Sequence, residues 1–292
     1  MNIFSGFEKI VKSDCSLSHY TWFGLGGPAD WVITPETVEE LSGVVRRCRE
    51  NGVPFRILGF GSNLLVRDEG VRGAVIKLDG PLFTSTSFDG AVLNAWGGAS
   101  LSKLVLECVR RGLGGLESLT GIPGSIGGAV RMNAGGNFGD IGAAIHSVTL
   151  MDDKGEVFER SKPDLVFDYR RVNISARLIL GARMELAEAD SEAILRTVKE
   201  IWIYKKNSQP LNTRNAGCVF KNPRGLSAGA MIDRTGLKGL QVGGAKVSEK
   251  HANFIIAEGE CTSRDVLNLI ETVQRRVQQE FGIELELELE IW

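Results

Sequence analysis

The segment RNAGCVFKNP contains the cysteine of this chain that least resembles a core residue. Cys218 follows a glycine and precedes the polar residues Lys221 and Asn222, whereas Cys48 and Cys108 lie on apolar helical stripes. A nucleophilic thiol needs a base within reach, and the sequence nominates no base strongly. A general acid needs only position, because a thiol with a reference pKa of about 8.5 is largely protonated at neutral pH. On these residues alone, a nucleophile, an acid and a structural cysteine stay open.

Charged residues in two other segments could take part in chemistry. In FDYRRVNI, Arg170 and Arg171 follow an aromatic pair. Paired arginines usually lie at the surface, although the guanidinium of one of them could bind a carboxylate through two hydrogen bonds. The segment IELELELEIW alternates strictly, so its four glutamates share one face of a predicted strand. This pattern is typical of a solvated sheet face, and by itself it argues against a catalytic role for Glu288.

Two glycine-rich segments could hold an anionic or flat ligand. GFGSNL follows an apolar strand, and Ser62 and Asn63 add side-chain donors to the backbone N–H groups that turn glycines expose. Leu64 stands where the dinucleotide fingerprint G-x-G-x-x-G needs its third glycine, so that fingerprint is not met. GIPGSIGGAVRMNAGG, residues 121–136, keeps one side of its backbone bare for a pyrophosphate or a ring. The alternatives are a surface turn for the first segment and a tightly packed turn system for the second.

Composition limits the class of protein. The 292 residues are 43% hydrophobic and 24% charged with a formal net charge of −2, and no block of like charge favours nucleic acid or an anionic membrane. The five cysteines form no C-x-x-C pair and the three histidines are scattered, so we expect neither a disulfide framework nor a metal site. No apolar run is long enough to cross a bilayer. A reducing, cytoplasmic location fits best.

The spacing of apolar residues predicts alternating helices and strands. Thr34, followed by proline, is the predicted N-cap of a first helix, and a second helix is predicted over residues 101–111. A capping box that begins at Thr262 opens a helix predicted to end at Gly282. The alternation over residues 283–291 predicts a long strand.

Seven segments occur in an order that resembles one enzyme family. They are TWFGLGGPAD, LGFGSNLLVRDEG, GLGGLESLTGIPGSIGGAVRMNAGG, FDYR, QPLNTRNAGCVFKNP, AGAMIDRTGLKG and VSEKHANFII. In this order and spacing they resemble the UDP-N-acetylenolpyruvoylglucosamine reductases, the MurB family of peptidoglycan synthesis, over residues 16–290. The tyrosine-bearing loop of the family's longer branch has no counterpart between Arg170 and Cys218, so the chain resembles the shorter branch.

The resemblance implies an α+β fold with an FAD-binding part of the vanillyl-alcohol-oxidase or PCMH type. Two FAD-binding subdomains, residues 1–79 and 80–205, would precede an α+β substrate-binding domain over residues 206–292. The implied reaction uses bound FAD and the co-substrate NADPH to add a hydride to C3 of the enolpyruvyl ether of UDP-N-acetylglucosamine, while C2 is protonated. The implied product is UDP-N-acetylmuramate. We expect a cytoplasmic monomer that binds this small nucleotide sugar, without a nucleic-acid or membrane partner.

The resemblance also implies roles for individual residues. Arg170 would stabilise negative charge on the substrate carboxylate, Cys218 would protonate C2 where many members have serine, and Glu288 would assist. The implied FAD-binding residues are Gly59, Phe60, Gly61, Ser62, Asn63, Leu64, Thr120, Gly121, Ile122, Pro123, Gly124, Ser125, Gly127, Gly128 and Asn133. The implied UDP-sugar-binding residues are Asn222, Lys206 and His251.

Two other interpretations keep part of this pattern. The chain could be another FAD oxidoreductase of the same fold that acts on a sugar or a hydroxy acid, or a nucleotide-sugar-binding protein without catalysis. The joint presence of Arg170, Cys218 and Glu288 in matching contexts argues against both interpretations. Phe60, which replaces a usual glycine, and Arg131, which stands where a hydrophobic or aromatic residue is common, depart from the family.

Overall fold

A computed structural model describes residues 3–292. The strands, in chain order, are β1 (Val11–Ser16), β2 (Pro28–Ile33), β3 (Phe55–Leu58), β4 (Leu64–Leu65), β5 (Val71–Lys77), β6 (Thr86–Asp89), β7 (Val92–Trp96), β8 (Leu113–Gly114), β9 (Gly135–Gly136), β10 (Gly139–Asp140), β11 (Ile145–Met151), β12 (Val157–Ser161), β13 (Phe167–Asp168), β14 (Arg171–Val172), β15 (Leu178–Glu185), β16 (Ala187–Glu188), β17 (Gln241–Val242), β18 (Ala245–Val247), β19 (Ile255–Ala257) and β20 (Glu290–Ile291). The α-helices are α1 (Val38–Glu50), α2 (Leu101–Arg111), α3 (Ile126–Arg131), α4 (Ser191–Ser208), α5 (Ala228–Arg234) and α6 (Ser263–Phe281).

The chain divides into two compact units, and each unit is built from separate stretches of sequence. Unit 1 consists of the residues up to Asp14 together with Asp30–Phe60 and Arg72–Ile203. Unit 2 consists of Cys15–Ala29, Gly61–Val71 and Tyr204–Trp292. The predicted division into residues 1–79, 80–205 and 206–292 stays a prediction.

Unit 1 has two hydrophobic cores, and each core includes residues of a sheet and of at least one helix. Strands in the order β1-β2-β5-β3 form a four-stranded sheet in which β3 and β5 are parallel. Leu41 and Val45 of α1 share a core with Ile76 of this sheet. Strands in the order β12-β11-β15-β7-β6 form an antiparallel sheet, and Leu104 of α2 shares a core with Val148 of β11. Burial of such aliphatic side chains stabilises the fold by about 1.5–3 kcal/mol each.

Unit 2 packs α5 and α6 with the three-stranded antiparallel sheet β17-β18-β19. The predicted capping box is confirmed, because the Thr262 hydroxyl accepts from the Asp265 N–H and the Asp265 carboxylate accepts from the Thr262 N–H. Gly282 ends α6 with φ +68, as the sequence predicts. A second structural feature is the parallel pair β4 and β20, which joins Leu64 to Glu290 and Leu65 to Ile291.

Two local predictions were wrong. The first helix begins later than predicted, because Thr37 rather than Thr34 accepts the capping hydrogen bond from the Glu40 N–H. The predicted strand over residues 283–291 forms a ladder only at β20, with one further isolated bridge at Leu287. Its alternation still holds in the burial pattern, since Leu285 is buried and the glutamates on either side of it are exposed.

The helical cysteines are core residues, as the sequence predicts. Cys48 and Cys108 are buried, and this burial raises the pKa of each thiol to about 11. Both thiols are therefore protonated and unreactive at neutral pH. Over residues 3–292, every helix is too short or too polar to cross a membrane.

Candidate active site

Cys218 lies in a short extended segment of unit 2 that is bonded to the segment carrying Glu288. The Glu288 N–H donates to the Val219 carbonyl at 2.9 Å, and Phe220 forms an isolated antiparallel bridge with Leu287. The Cys218 thiol is half-buried. Main-chain hydrogen bonds therefore bring the positions of Cys218 and Glu288 next to each other, although they are far apart in the sequence.

The other edge of the same segment is held by Asn253, a residue that the sequence reasoning missed. The Val219 N–H donates to the Asn253 main-chain carbonyl at 2.9 Å, and Cys218 bridges to Phe254. The Asn253 side chain accepts from the Phe220 N–H at 2.9 Å and donates to the Phe220 carbonyl at 2.8 Å. Asn253 is 3% exposed. The Asn253 amide thus makes the two hydrogen bonds that a neighbouring strand would otherwise make, and it satisfies both the N–H and the carbonyl of the buried Phe220.

Glu288 differs from the other glutamates of the terminal segment. It is half-buried, whereas Glu284, Glu286 and Glu290 are exposed. The Asn63 side-chain amide donates to the Glu288 carbonyl at 2.9 Å, and the Glu290 N–H donates to the Asn63 carbonyl at 3.1 Å. The structure therefore gives Asn63, predicted to bind FAD, a contact with the glutamate segment. Alternation alone could not distinguish Glu288, because the four glutamates have equivalent places in the pattern.

Arg170 lies at the tip of a two-residue hairpin in unit 1. Strands β13 and β14 pair Asp168 with Arg171, which leaves Tyr169 and Arg170 as the turn. Arg170 has φ +57, in the left-handed region that non-glycine residues seldom occupy. Its Nη1 donates to the Gly135 carbonyl at 2.9 Å. Arg171 instead pairs with the Asp168 carboxylate at 2.6 Å on the surface, so the structure distinguishes two arginines that the sequence left equivalent.

The two predicted cofactor segments meet inside unit 1. A methyl group added at Gly59 would lie 2.6 Å from the Ser125 hydroxyl, so only glycine fits where these two segments meet. Ser125 is buried and accepts from the Gly128 N–H as the N-cap of α3. Gly121 and Gly124 have φ +71 and +145, conformations that other residues resist. Adjacent glycine turns with hydroxyl and N–H donors are the donor set that a pyrophosphate requires, so these residues fit FAD.

Other cofactor candidates have protein contacts within their own units. In unit 2, Gly61 has φ +64, and a methyl group there would lie 2.0 Å from the Tyr20 carbonyl. Leu64 is buried in β4. In unit 1, the Gly127 N–H donates to the Gly97 carbonyl at 2.7 Å. Packing within the protein therefore accounts for a glycine or an apolar residue at each of these positions. Cofactor binding by these residues stays a prediction.

Asn133 uses its amide within unit 1. Its Nδ2 donates to the Asp168 carbonyl at 3.0 Å, and its Oδ1 accepts from the Gly142 N–H at 3.1 Å. The residue is 3% exposed and has φ +41. The predicted FAD contact is untested, but the contacts that the structure shows for Asn133 link it to the hairpin of Arg170.

The predicted substrate residues Asn222 and His251 have defined partners in unit 2. The Asn222 side-chain carbonyl accepts from the Ala228 N–H at 3.0 Å at the start of α5. His251 Nδ1 accepts from the Asn253 N–H at 3.2 Å. Burial, followed by the positive charge of Lys238, lowers the pKa of His251. The imidazole is therefore neutral at pH 7 with its proton on Nε2, which makes Nε2 a donor.

The third predicted substrate residue, Lys206, is exposed, and its carbonyl accepts from the Lys250 ammonium group. Its neighbour Lys205 is only 7% exposed. The sequence contains the signal for this difference, because Lys205 continues the buried stripe through Val198 and Ile201 at helical spacing. Lys205 and Lys206 therefore lie on different faces of α4, Lys205 on the buried face and Lys206 on the exposed face.

Arg131 has a structural explanation. Its guanidinium donates to the Ile174 carbonyl at 2.7 Å, to the Arg177 carbonyl at 3.2 Å and to the Ala176 carbonyl. Burial lowers the pKa of Arg131. The Arg131 guanidinium therefore holds the turn between β14 and β15 by hydrogen bonds, which a hydrophobic residue at this position could not form.

Comparison with known proteins identifies the family. Residues 209–292 match the family model "UDP-N-acetylenolpyruvoylglucosamine reductase, C-terminal domain", and residues 29–161 match "FAD binding domain". The UDP-N-acetylenolpyruvoylglucosamine reductase of Syntrophus aciditrophicus (strain SB) is 43% identical over 285 residues, which cover 96% of this chain and 91% of that protein. This chain belongs to the UDP-N-acetylenolpyruvoylglucosamine reductase family. The family member of Heliobacterium modesticaldum (strain ATCC 51547 / Ice1) is 44% identical over 278 residues, covering 94% of this chain and 88% of that protein.

A solved family structure has the same fold. The crystal structure of UDP-N-acetylenolpyruvylglucosamine reductase (MurB) from Thermus caldophilus matches with a TM-score of 0.81 at 42% identity, covering 97% of this chain and 98% of that chain. Together with the FAD binding domain, this match confirms the predicted fold class, an α+β protein with a PCMH-type FAD-binding part and the family's C-terminal domain. Cys218 and Glu288 lie within the C-terminal match, and Ser125 and Asn133 lie within the FAD match.

Proposed function

We propose that this protein reduces the enolpyruvyl ether of UDP-N-acetylglucosamine to UDP-N-acetylmuramate in peptidoglycan precursor synthesis, with FAD as bound cofactor and NADPH as hydride source. The hydrogen bond of 2.9 Å between the Glu288 N–H and the Val219 carbonyl carries the proposal, because it brings the main chain of Glu288 next to the segment that carries the candidate acid Cys218. The names and the extensive coverage of the relatives support the choice of substrate.

Cys218 and Arg170 have separate tasks in this reaction. FAD held by the two glycine segments would take a hydride from NADPH and would supply it to C3 of the enolpyruvyl group. Cys218 gives the proton of its Sγ to C2, so one hydride and one proton saturate the double bond, and the thiolate regains a proton from water. The planar Arg170 guanidinium stabilises the charge that develops on the substrate carboxylate. Glu288, half-buried and fixed through Val219 and Asn63, assists the protonation.

The residues proposed to hold FAD are those of the two glycine segments, 59–64 and 120–128, with their turn N–H groups and hydroxyls directed to the pyrophosphate. For the UDP-sugar we propose Asn222, His251 and Lys206. Neutral His251 is suited to donate from Nε2 to a substrate oxygen, because Nδ1 accepts from the Asn253 N–H.

A single spectroscopic experiment tests the proposal. The visible spectrum of the purified protein is recorded without oxygen, then after NADPH, and then after the enolpyruvyl UDP-sugar. We expect a flavin spectrum that bleaches with NADPH and returns with the sugar, and mass spectrometry of the product should show a gain of two hydrogens. UDP-N-acetylglucosamine is the matched control, because it lacks the enolpyruvyl group and should leave the bleached spectrum unchanged.

Two results would contradict the proposal in different ways. A spectrum that bleaches but does not return with the enolpyruvyl sugar indicates another FAD oxidoreductase of the same fold. A protein that takes up no flavin after incubation with FAD, yet binds the UDP-sugar, indicates a nucleotide-sugar-binding protein without this catalysis.

A further inference from the structure

The segment 133–135 holds the hairpin of Arg170 at two points. Asn133 Nδ2 donates to the Asp168 carbonyl at 3.0 Å, at the last strand residue before the turn. The Gly135 carbonyl accepts from Arg170 Nη1 at 2.9 Å, at the tip. Asn133 is itself anchored, because its Oδ1 accepts from the Gly142 N–H at 3.1 Å. The buried Asn133 amide thus connects the backbone after α3 to the base of the turn. The hydrogen bond from the Gly142 N–H fixes the orientation of this amide.

Backbone conformation gives an independent indication of the same connection. Over residues 3–292, the non-glycine residues with positive φ are Asp14 at +49, Asn133 at +41 and Arg170 at +57. Two of these three residues therefore belong to one hydrogen-bonded network. An arginine persists in this conformation only where its surroundings enforce it, and such residues concentrate at functional sites. Asparagine tolerates the left-handed region better than most residues, which suits it to position 133.

We propose that Asn133 is a positioning residue for Arg170. By anchoring the Asp168 carbonyl, its amide fixes the direction in which the guanidinium leaves the turn. The inference rests on the proposed function, because the substrate carboxylate is the group that a directed guanidinium would stabilise. It gives Asn133 a role toward the hairpin in place of the FAD contact that the family resemblance implies.

Two substitutions at position 133 distinguish the effect of the side-chain amide from the effect of the backbone conformation. Asn133→Asp keeps the size, the tolerance of positive φ and the acceptor for the Gly142 N–H, but it turns an oxygen toward the Asp168 carbonyl. Asn133→Gly keeps the backbone freedom and removes the amide, so it remains informative if the aspartate variant folds poorly. Asn51→Asp is the matched control, because Asn51 Nδ2 also donates to a main-chain carbonyl, that of Arg47 at 2.8 Å, at the end of α1.

The first measurement is amide hydrogen exchange of residues 167–172 by mass spectrometry, which needs no substrate. We expect faster exchange in both Asn133 variants and the wild-type rate in Asn51→Asp. The second measurement compares the two half-reactions by stopped flow. Return of the flavin spectrum with the enolpyruvyl sugar should slow by about 10- to 100-fold, since small misplacements of a charge-stabilising group have effects of this size. Bleaching by NADPH should keep its wild-type rate.

Three results would overturn the inference: unchanged exchange at residues 167–172, equal slowing of both half-reactions, or loss of FAD with an unchanged hairpin. The last result would return Asn133 to the cofactor site. Failure of the proposed function is distinguishable, because the wild-type protein itself would then not transfer a hydride to the enolpyruvyl sugar. The hydrogen-exchange comparison would still decide whether Asn133 holds the hairpin.

Discussion

The Cys218 segment and the Arg170 hairpin hold their side chains by different means. The Cys218 segment has main-chain partners on both edges, at Asn253 and at Glu288. The Arg170 hairpin consists of two-residue strands, places an arginine at φ +57, and is bonded to the segment 133–135 through two side chains, the Asn133 amide and the Arg170 guanidinium. Main-chain hydrogen bonds fix a position regardless of which side chain occupies it. A turn held by side-chain hydrogen bonds depends on the identity of a few residues.

This difference predicts unequal tolerance to substitution. At Cys218 the position is fixed independently of the side chain, so any residue that can donate a proton should function there. At Arg170 the side chain supplies both the guanidinium fork and a contact that holds the turn, the hydrogen bond to Gly135. Substitutions at four positions test that contrast.

Cys218→Ala should lower the overall rate by about 10²–10⁴-fold, the usual contribution of a general acid, while NADPH still bleaches the flavin. Cys218→Ser is the matched control and should retain activity, because the main-chain hydrogen bonds on both edges of the segment place the hydroxyl where the thiol was. The measurement is stopped-flow absorbance of each half-reaction. Equal loss of both half-reactions in Cys218→Ala would remove Cys218 from the proton-donor role.

Arg170→Lys should slow return of the flavin spectrum with the enolpyruvyl sugar by about 100-fold, because lysine lacks the planar fork that binds a carboxylate in two places. Arg171→Lys changes the adjacent residue in the same way, but it affects only the exposed pair with Asp168. Steady-state kinetics of both variants at saturating NADPH give the comparison. Similar effects for the two variants would mean that the hairpin does not direct one particular arginine.

Asn253→Ala should lower the free energy of unfolding by about 3 kcal/mol, because the Phe220 N–H and carbonyl each lose a buried partner. Asn268→Ala, at an exposed position on α6, is the matched control and should change it by less than about 0.5 kcal/mol. Urea unfolding followed by circular dichroism measures both. If the two variants lost equal stability, the main chain alone would be holding the Cys218 segment.

His251 should make a small pH-dependent contribution beside the same segment. Burial lowers its pKa in the folded protein, so the unfolded chain binds the proton first as the pH falls through the ordinary histidine value of about 6.5. The stability from neutral His251 is present above that pH and decreases below it. His251→Gln should flatten urea-unfolding stability between about pH 7 and pH 5. An equal profile for His251→Gln and wild type would contradict the assignment.

Helix limits that depend on local residues could be predicted from the sequence. The predicted helix over residues 101–111 is confirmed, and so is the capping box at Thr262, because each depends on neighbours within four positions. The first N-cap was misplaced because Thr34 and Thr37 are both plausible caps, and the choice depends on where β2 ends. The long terminal strand was overpredicted, because alternation reports which face is buried and does not show whether a partner strand runs alongside.

The site was harder to predict because its supporting contacts are not local. Family motifs indicated Arg170, Cys218 and Glu288, and their roles stay predictions. Asn253 could not be predicted, since nothing near it in the sequence indicates that its amide satisfies Phe220. Asn133 was noticed for its motif and assigned to the cofactor, because its contact with Asp168 spans 35 positions.

Unit 2 has a consequence for how the protein is made. Its core includes Phe23 and Leu65 from two early stretches, together with the stripe of α6 that begins at Val266. Residues 72–203 of unit 1 are translated between those stretches and the rest of unit 2. At about 5–20 residues per second, on the order of ten seconds separate the emergence of Leu65 from that of its core partners. During this interval Phe23 and Leu65 lack their partners from α6 on the ribosome-bound chain. We therefore expect chaperone binding and aggregation of the new protein to be most frequent in this period.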